Sequence, residues 1–393
     1  MAQRSTRDAM QHYEAREHSL VKHTILQSYL ERCLMIIGQR FQKIAYIDCF
    51  AGPWKSTAAD LSDTSPGLAI QTMAKCESAL KDRLNKSVRI RSIFVESDDE
   101  RAALLEGHVL TSPANIVRPE IWRKTFEDAI PEIIRWLEPD EFAFVFVDPF
   151  GWKGLIEPAV LAPFLRRDKT ELLINFMWNF MNLATGHEEQ HTSLDAVFGD
   201  GWQQVAAGAS ENKRKELMNR YRKLLTETCN GHSKQRLRTA MLPVEYVDKK
   251  RIVFYLVYAT HNATGLVVFR EEAEEAARHQ SRLKLQHRLD AVAKKRGQDD
   301  LFTADTHEDE PRLTPLEIGD LWLRQFPQVG SELVVDMTAV ADMIEDSDFL
   351  LSELQTALRE LIASGVIANT SALKPRPKNV VNYRKNERLV RLK

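Results

Sequence analysis

The sequence predicts an α/β fold: a Rossmann-like, mostly parallel sheet closed by an antiparallel hairpin, with helical insertions and a C-terminal winged helix-turn-helix. Short apolar runs alternate with amphipathic segments over residues 44–178, which indicates parallel strands joined by right-handed crossover helices. Residues 242–260 have the pattern of two strands joined by a tight charged turn. Beyond an acidic segment at 297–312, two helical patterns and a small hairpin are typical of a winged helix.

The N-terminal part of the chain predicts a helix followed by a buried strand. Over residues 14–41, apolar side chains recur every three or four positions, as on an amphipathic helix. The run IAYIDCF (44–50) is short and apolar, as expected of a parallel strand covered on both faces. The next helix is predicted to begin with Ser65 as its N-cap and Pro66 at the first helical position.

The alternation then continues to the end of the parallel strands. A short extended piece is expected around Asn115 to Val117, and a helix over 125–137 must hold Pro131 in its first turns or bend there. The other predicted strands are 89–97, 141–150 and 171–178, and the other predicted helices are 98–110 and 157–167. Each strand is thus followed by a helix, which is the pattern of a parallel sheet.

The whole chain, at 393 residues, is too long for one ordinary core, so several parts are expected. We predict an N-terminal helical cover (1–43), an α/β domain (44–275) with an inserted helical cap (186–240), a charged helix with an acidic linker (276–311), and a winged-helix domain with a basic tail (312–393). In the last part, the predicted helices span 313–326 and 347–365, and the predicted hairpin pairs 366–371 with 379–385.

The composition indicates a soluble globular protein, with 44% hydrophobic and 28% charged residues. The net charge of −2 gives no signal for nucleic acid or membrane over the whole chain. The four cysteines are widely spaced without a CxxC pair, which favours a reducing, cytoplasmic setting and no metal site. The N-terminus lacks an apolar leader and no apolar run reaches the length of a membrane span, so neither secretion nor membrane insertion is expected.

Acidic and amide side chains follow the predicted strands at one edge of the sheet. In an open α/β sheet, ligands bind outside the carboxyl ends of the strands, so the residues after each apolar run should converge. These residues are Asp48 after the first strand, Glu96 after the second, Asp148 after the fourth and Asn175 in the fifth. Glu96 stands where nucleotide-binding sheets place the acid that binds a ribose diol.

Each of these residues also has a purely structural interpretation. Asp48 can form a turn or cap a helix, and Glu96 precedes an acidic run that can start a helix. Asp148-Pro149-Phe150 can be an ordinary turn, and Asn175 a cap. Because all of them fall on the predicted ligand edge, the group is a stronger indication of a site than any member alone.

Five segments of the chain together carry a resemblance to a known family. They are EHSLVKHTILQSYL (17–30), YIDCFAGP (46–53), SPG (65–67), VDPFG (147–151) and YLVYATHNATGL (255–266). With them the chain resembles the three-Cys-motif partner protein family, whose fold is that of class I S-adenosylmethionine-dependent methyltransferases, over most of residues 14–275. A winged-helix C-terminus is similar to that of related proteins, and the cysteines of the family's name belong to a companion protein.

The resemblance implies S-adenosylmethionine as the cofactor and assigns roles along the predicted edge. It places Asp48, Phe50, Ala51 and Gly52 at the methionine end of the cofactor and Glu96 at its ribose. It places Asp148, Pro149 and Phe150 at the acceptor, where an acid or amide followed by Pro and an aromatic ring holds the amine of an extruded base. The chain departs from the pattern at Trp54, where methyltransferases usually have another Gly, and in lacking a second Pro after Pro149.

The N-terminal helix carries two further candidate residues for substrate binding. His18 and Lys22 share a helical face, and the resemblance suggests that this helix covers the site. The alternative, which the pattern favours, is a solvated face. Asn175 is a third candidate, at the end of the fifth strand.

The C-terminal tail concentrates positive charge. Residues 372–393 carry eight Lys and Arg against one acid, Glu387, and the substrate-binding candidates among them are Lys374, Arg376, Lys378 and Arg384. On a winged helix such density indicates phosphate binding, whereas a solubilising tail or a protein-docking module is the alternative. In the acidic linker, Gln298–Phe302 resembles the short peptide that bacterial sliding clamps bind.

The function expected from these observations is S-adenosylmethionine-dependent methyl transfer, with nucleic acid, and in particular a base amine, as the acceptor. The alternative is a catalytically inactive nucleotide- or partner-binding module that works with a companion three-Cys-motif protein in a mobile-element or defence setting. No P-loop, HExxH or GxSxG pattern occurs, so the sequence does not support a kinase, zincin or α/β-hydrolase.

Overall fold

The computed structural model describes residues 17–52, 63–111, 119–208, 210–249, 251–296, 315–347, 349–372, 374, 376 and 379–393, with only the backbone at 17–20, 110–111, 210–211, 291–296 and 315–316. Two compact units form within it. The first comprises residues 1–262 and 276–284, and the second comprises residues 263–275 and 285–393. The boundary predicted between 275 and 276 therefore differs from the observed one, because residues 263–275 group with the C-terminal unit.

A seven-stranded sheet forms the centre of the first unit. Its order is β3-β2-β1-β4-β5-β7-β6; β7 runs antiparallel to its neighbours β5 and β6, and the other neighbouring strands are parallel. The strands are β1 (Lys43–Asp48), β2 (Arg89–Val95), β3 (Glu120–Trp122), β4 (Phe142–Val147), β5 (Thr170–Phe176), β6 (Arg238–Glu245) and β7 (Ile252–Thr260). The predicted mostly parallel sheet with an antiparallel hairpin is confirmed, and the third strand lies just after the piece expected around Asn115–Val117, which falls outside the described residues.

Helices cover both faces of this sheet, as the continuous apolar strands predicted. Before the insertion they are α1 (Glu17–Ile37), α2 (Ser65–Leu84), α3 (Asp99–Thr111), α4 (Phe126–Trp136) and α5 (Pro158–Leu165). On one face, Tyr29 of α1 packs against Phe144 and Tyr258. On the other, Ala45 and Ile47 belong to a core that includes apolar side chains of α4 and α5.

The start of α2 differs by one residue from the prediction. Thr64, not Ser65, is the N-cap, and its side chain accepts a hydrogen bond from the Gly67 N–H. Ser65 instead donates its hydroxyl to Asp48, so a tertiary contact takes the side chain that the local pattern assigned to capping. Pro131 lies inside α4, whose first turn is capped by Thr125.

The insertion after β5 is helical, as predicted for residues 186–240. It comprises α6 (Trp178–Ala184), a 3₁₀ turn (Glu188–Gln190), α7 (His191–Phe198), α8 (Trp202–Ala206) and α9 (Ser210–Glu227). Its boundaries shift at both ends, because α6 begins within the predicted fifth strand and β6 begins at Arg238. The side chains of α9 include Leu217 and Tyr221, which join the same core as α4 and α5.

The second unit contains three helices and a three-stranded antiparallel sheet of order β8-β10-β9, together with part of a long helix. Its elements are α10 (Ala263–Arg296), which contributes to both units, then α11 (Pro315–Arg324), β8 (Glu332–Val335), α12 (Met337–Ile344), α13 (Leu351–Ala363), β9 (Ile367–Asn369) and β10 (Glu387–Arg391). The helix predicted from Glu271 thus begins eight residues earlier, and β8 and α12 were not predicted.

The small hairpin of the second unit was assigned to the wrong partner strand. Residues 366–371 do contain β9, but β9 pairs with β10 and not with 379–385. The latter segment forms a 3₁₀ turn, Tyr383–Lys385, because the Asn382 side chain caps it and Asn386 takes a left-handed conformation with φ of 52°. All four cysteines are buried and unbridged, and none of the described helices has the length and apolar content needed to cross a membrane.

Candidate functional site

Four polar side chains converge at the carboxyl edge of the sheet, on the face that α1 and α2 cover. Asp48 ends β1, Glu96 follows β2, Asp148 follows β4 and Asn175 lies near the end of β5. Successive strand residues alternate between faces, so residues an even number of positions apart lie on the same face. These four therefore lie on the same face of the sheet as Tyr46, Phe94, Phe144 and Leu173 of their respective strands. The structure therefore brings to one edge and one face the residues that the sequence predicted to converge.

Asp48 is fully buried and organises the turn after β1. Its Oδ1 accepts the Phe50 N–H at 3.2 Å, and its Oδ2 accepts the Ser65 hydroxyl at 2.9 Å. Burial raises the pKa of Asp48 to about 7, against the lowering effect of these two hydrogen bonds. Both carboxylate oxygens thus have donors from the chain itself, as expected for a residue that links β1 to the start of α2.

Glu96 is 5% exposed and lies at the start of α3. Its Oε1 accepts the Asp98 N–H at 2.8 Å and an Arg101 guanidinium N–H at 3.0 Å. Both of these hydrogen bonds use Oε1. The Ala51 N–H donates to the Val95 carbonyl at 2.8 Å, so the loop after β1 lies directly beside the end of β2.

Asp148 is held between two side chains from different elements. Lys22 of α1 donates to its Oδ2 at 2.5 Å, and Asn175 of β5 donates through Nδ2 to its Oδ1 at 2.5 Å. The solvated face that the sequence favoured for Lys22 is wrong, because its side chain is 13% exposed and pairs with Asp148. Of His18, the other candidate on this helix, the structure describes only the backbone.

Two buried polar atoms close to these carboxylates have no hydrogen-bond partner among the described residues. They are the Tyr46 hydroxyl and the Asn175 Oδ1. Asp48 and Asp148 both contribute electrostatically to raising the pKa of Tyr46, after burial, which places this phenol near both acids. Buried polar atoms are nearly always satisfied, so a ligand or an ordered water is expected to complete this region.

The remaining predicted residues of the site occupy different environments. The ring of Phe50 lies 5.2 Å from that of Phe126 and packs against the core on the opposite face, so only its backbone contributes to the site. Pro149 is buried, whereas Phe150 is 80% exposed. The chain turns sharply after Phe150 because Gly151 has a φ of 129°, a conformation that other residues rarely adopt.

A groove of about 470 Å³ begins directly after this turn, and sequence analysis did not identify it. It is lined by Gly151, Trp152 and Lys153 on one side and by residues of α6 and the following 3₁₀ turn on the other, including Phe180 and His187. The sequence signal was weak: Phe180 and Leu183 lie three positions apart, between the strand predicted at 171–178 and the cap predicted from 186, where no element was predicted. Tyr46 was missed too, because one Tyr in a buried strand has no distinguishing pattern.

Two of the four basic candidates of the C-terminal unit are paired with acids. Arg384 donates to both carboxylate oxygens of Glu271 at 2.9 and 2.6 Å, and Arg376 donates to Glu387. Lys374 is exposed. Lys378 and the segment Gln298–Phe302 lie outside the described residues. The positive charge that the tail sequence indicated is therefore partly neutralised, by Glu387 of the tail itself and by Glu271, which lies 113 positions from Arg384.

No protein-family model and no curated protein matches the chain. Among solved structures, it is similar to the crystal structure of protein LPL1258 from Legionella pneumophila str. Philadelphia 1, described as family DUF519. The two share 10% sequence identity over 62% of this chain and 85% of that chain, with a TM-score of 0.34. We draw no inference from a likeness at this score.

Proposed function

We propose that the protein is an S-adenosylmethionine-dependent methyltransferase that acts on nucleic acid, with a base amine as the acceptor. The observation that carries the proposal is the placement of Asp48, Glu96 and Asp148 at the carboxyl ends of adjacent strands β1, β2 and β4, on one face. The strand order, with β7 reversed between β5 and β6, supports it because class I methyltransferases have this arrangement.

The residues around β1 and β2 fit such a cofactor. The Ala51–Val95 hydrogen bond brings the loop after β1 beside Glu96, so one ligand can reach both. Glu96 would hold the ribose hydroxyls, and the backbone of Ala51 and Gly52 would face the methionine end. When bound, the cofactor would supply an electrophilic methyl group.

Asp148 and Asn175 would hold the acceptor. An exocyclic amine is a hydrogen-bond donor, and it fits the unpartnered Oδ1 of Asn175 beside the Asp148 carboxylate. Phe150, which is exposed, would stack on the base. These residues would then orient the acceptor, and Asp148 would accept the proton that the amine loses. No covalent bond between the protein and the substrate would form.

The C-terminal unit would serve as a winged helix that contacts phosphates. The order helix, strand, two helices, strand, long connection and strand, from α11 to β10, supports this assignment. Exposed Lys374 lies in the connection between β9 and β10, where a wing would stand. Because Arg376 and Arg384 are paired with acids, Lys374 and the exposed Lys385 are the better candidates for phosphate contacts.

Calorimetric titration with S-adenosylmethionine, and separately with its demethylated product, tests the proposal. We expect micromolar binding by the whole chain, and a loss of about tenfold or more in Glu96→Gln, because the ribose would lose a charged acceptor. Glu100→Gln is the matched control, since Glu100 is exposed in the first turn of the same helix. Equal affinities in all three proteins would overturn the assignment of Glu96.

A second candidate function is a binding module without catalysis, working with a companion protein. The observation that favours it is that both oxygens of Asp48, and both of Asp148, already accept hydrogen bonds from the chain itself. If the folded wild type binds neither form of the cofactor, this second function replaces the first. Cofactor binding together with transfer of labelled methyl groups to nucleic acid excludes it.

A further inference from the structure

Exposed aromatic and apolar side chains lie in the groove after Phe150 or next to it in the chain: Phe180 lines the groove, Leu183 lies on the same helix, and Phe150 directly precedes the lining residue Gly151. Phe150 and Phe180 are 80% and 41% exposed, and they are the exposed phenylalanines among the described residues. Leu183, one helical turn after Phe180, is 59% exposed. Large apolar side chains on a surface mark binding sites when they cluster around a concave region. The opposite side of α6 is buried through Trp178 and Met181, so the exposed side is not needed to fold the helix.

Positive charge lies beside this groove. Lys153 lines the groove and is exposed. Lys213, at the start of α9, donates to the Thr185 hydroxyl at 3.1 Å, next to Ala184 of the groove wall. The lining also contains one acid, Glu189, whose carboxylate lies 3.4 Å from the His187 ring. The groove thus combines exposed rings with cations.

We propose that this groove binds single-stranded nucleic acid, with one base stacked on Phe180 and the backbone phosphates near Lys153 and Lys213. Aromatic platforms flanked by cations are the way proteins hold unpaired strands, because rings stack on any base and lysines neutralise phosphates. The groove volume of about 470 Å³ lies within the range of ligand sites, roughly 300–1,000 Å³. The inference rests on the proposed function. It adds that the substrate is single-stranded and that the strand reaches Asp148 through this groove.

The inserted helices, rather than the C-terminal unit, would then read the strand next to the target base. The groove starts at Gly151, three residues after Asp148, and a strand lying in it would leave the neighbouring base at the acceptor position. A duplex would not satisfy the same site, because its bases present no free faces to the rings. Single-stranded nucleic acid is therefore expected to bind more tightly than duplex of the same length.

Fluorescence anisotropy with a short labelled single-stranded oligonucleotide of mixed sequence tests the proposal on the whole chain. We expect Phe180→Ala to weaken binding by about tenfold, while Phe180→Tyr, which keeps a ring, binds as the wild type does. Lys153→Ala should weaken binding and reduce the salt dependence by about one phosphate contact. The controls are Leu104→Ala, 64% exposed on α3, and Lys234→Ala, exposed in the loop before β6 at the opposite edge of the sheet.

Three outcomes would overturn the groove assignment: no oligonucleotide binding by the folded wild type, equal binding by Phe180→Ala and wild type, or tighter binding of duplex. If Phe180 instead binds a companion protein, the folded wild type is expected not to bind the oligonucleotide. Cofactor titration of Phe180→Ala separates this inference from the proposed function. If the cofactor binds and the oligonucleotide does not, the groove assignment fails alone; if the oligonucleotide binds through Phe180 and the cofactor does not, the methyltransferase assignment fails alone.

Discussion

Lys22 and Asp148 form an ion pair at 2.5 Å, which connects the first described helix to the loop after β4. The two side chains are 13% and 17% exposed, so little water is available to screen the pair. They are separated by 126 positions in the chain. The pair therefore anchors α1 over the carboxyl edge of the sheet, where the candidate site lies.

We expect Lys22→Met to lower the free energy of unfolding by roughly 1–3 kcal/mol, because Asp148 would keep its position without its cation. Methionine keeps the unbranched apolar stem, so packing changes little. Urea denaturation of the whole chain measures the effect. Lys75→Met is the control: Lys75 also pairs with a carboxylate, Glu31, at 2.7 Å, but it is 65% exposed, and a change below about 0.5 kcal/mol is expected.

A double-mutant cycle identifies the partner. Asp148→Asn in the Lys22→Met background should recover part of the lost stability, because no charge then remains unpaired. If Lys22→Met and Lys75→Met cost the same, or if Asp148→Asn adds its full cost to that of Lys22→Met, the pair does not stabilise the protein.

The convergence of the site residues at one edge of the sheet was predictable, because it depends on local sequence patterns. Apolar runs of the right length locate β1, β2, β4 and β5, and the alternation of side chains within a strand puts Asp48, Glu96, Asp148 and Asn175 on one face. Neither step requires knowledge of the tertiary structure. The same reasoning failed for β8 and α12, which are four and eight residues long and too short to show a period.

The partners of the site residues were not predictable, because they come from distant parts of the chain. Ser65 has the local pattern of an N-cap, but a contact with Asp48 outweighs it. Arg384 appears in the sequence as part of a basic tail, yet its partner Glu271 lies 113 positions away. Local sequence gives the type of charge, whereas only the folded chain shows whether that charge is paired.

Tyr29 and Tyr46 are both fully buried on the same side of the sheet, but within the described part of the chain only Tyr29 has hydrogen-bond partners. Its hydroxyl donates to Glu171 at 2.7 Å and lies 2.6 Å from the Tyr258 hydroxyl. We expect Tyr29→Phe to cost about 1–3 kcal/mol, because Glu171, whose pKa burial raises, loses a donor. Tyr46→Phe should cost less than about 0.5 kcal/mol, because no hydrogen bond is lost. Thermal unfolding compares the two.

The Tyr46 hydroxyl also reports on the candidate site. If a ligand completes it, Tyr46→Phe weakens cofactor binding by a measurable factor while the melting temperature stays the same or rises. Equal destabilisation by Tyr29→Phe and Tyr46→Phe would instead show that the Tyr46 hydroxyl has a partner in the folded protein.

Arg384 is expected to act in folding and not in phosphate binding. Its Nη2 donates to both carboxylate oxygens of Glu271, and the shorter lysine side chain would hold this contact less well, so Arg384→Lys should lower the stability of the protein by up to about 1 kcal/mol. Nucleic-acid affinity should be unchanged, because the positive charge remains and was already paired. Lys374→Ala is the comparison, and it should reduce the salt dependence of binding by about one contact. Loss of affinity in Arg384→Lys at unchanged stability would reverse this assignment.

Asp48 should make stability depend on pH in the neutral range. Its pKa is about 7 in the folded protein, against 3.8 as its ordinary value, because burial disfavours the carboxylate. A raised pKa means that the folded state binds the proton more tightly, so the stabilisation is complete below about pH 4 and is lost as the pH rises through about 7. By linkage the loss is at most on the order of 4 kcal/mol.

Asp48→Asn removes this titration and keeps Oδ1 as an acceptor for the Phe50 N–H, while Nδ2 can donate to the Ser65 hydroxyl oxygen. Relative to the wild type, the variant should therefore gain stability between about pH 5 and about pH 8, by at least about 1 kcal/mol, measured by urea denaturation at each pH. Asp140→Asn is the control, because Asp140 is 63% exposed and its pKa is lowered by a hydrogen bond from Lys43, so it stays ionised over this range.

If the stability difference between Asp48→Asn and the wild type does not change with pH, the buried carboxylate is ionised in the folded protein at neutral pH. A positive group, with Lys22 the nearest candidate, would then have to compensate it, and Asp48→Asn in the Lys22→Met background would show the pH dependence that the single variant lacks.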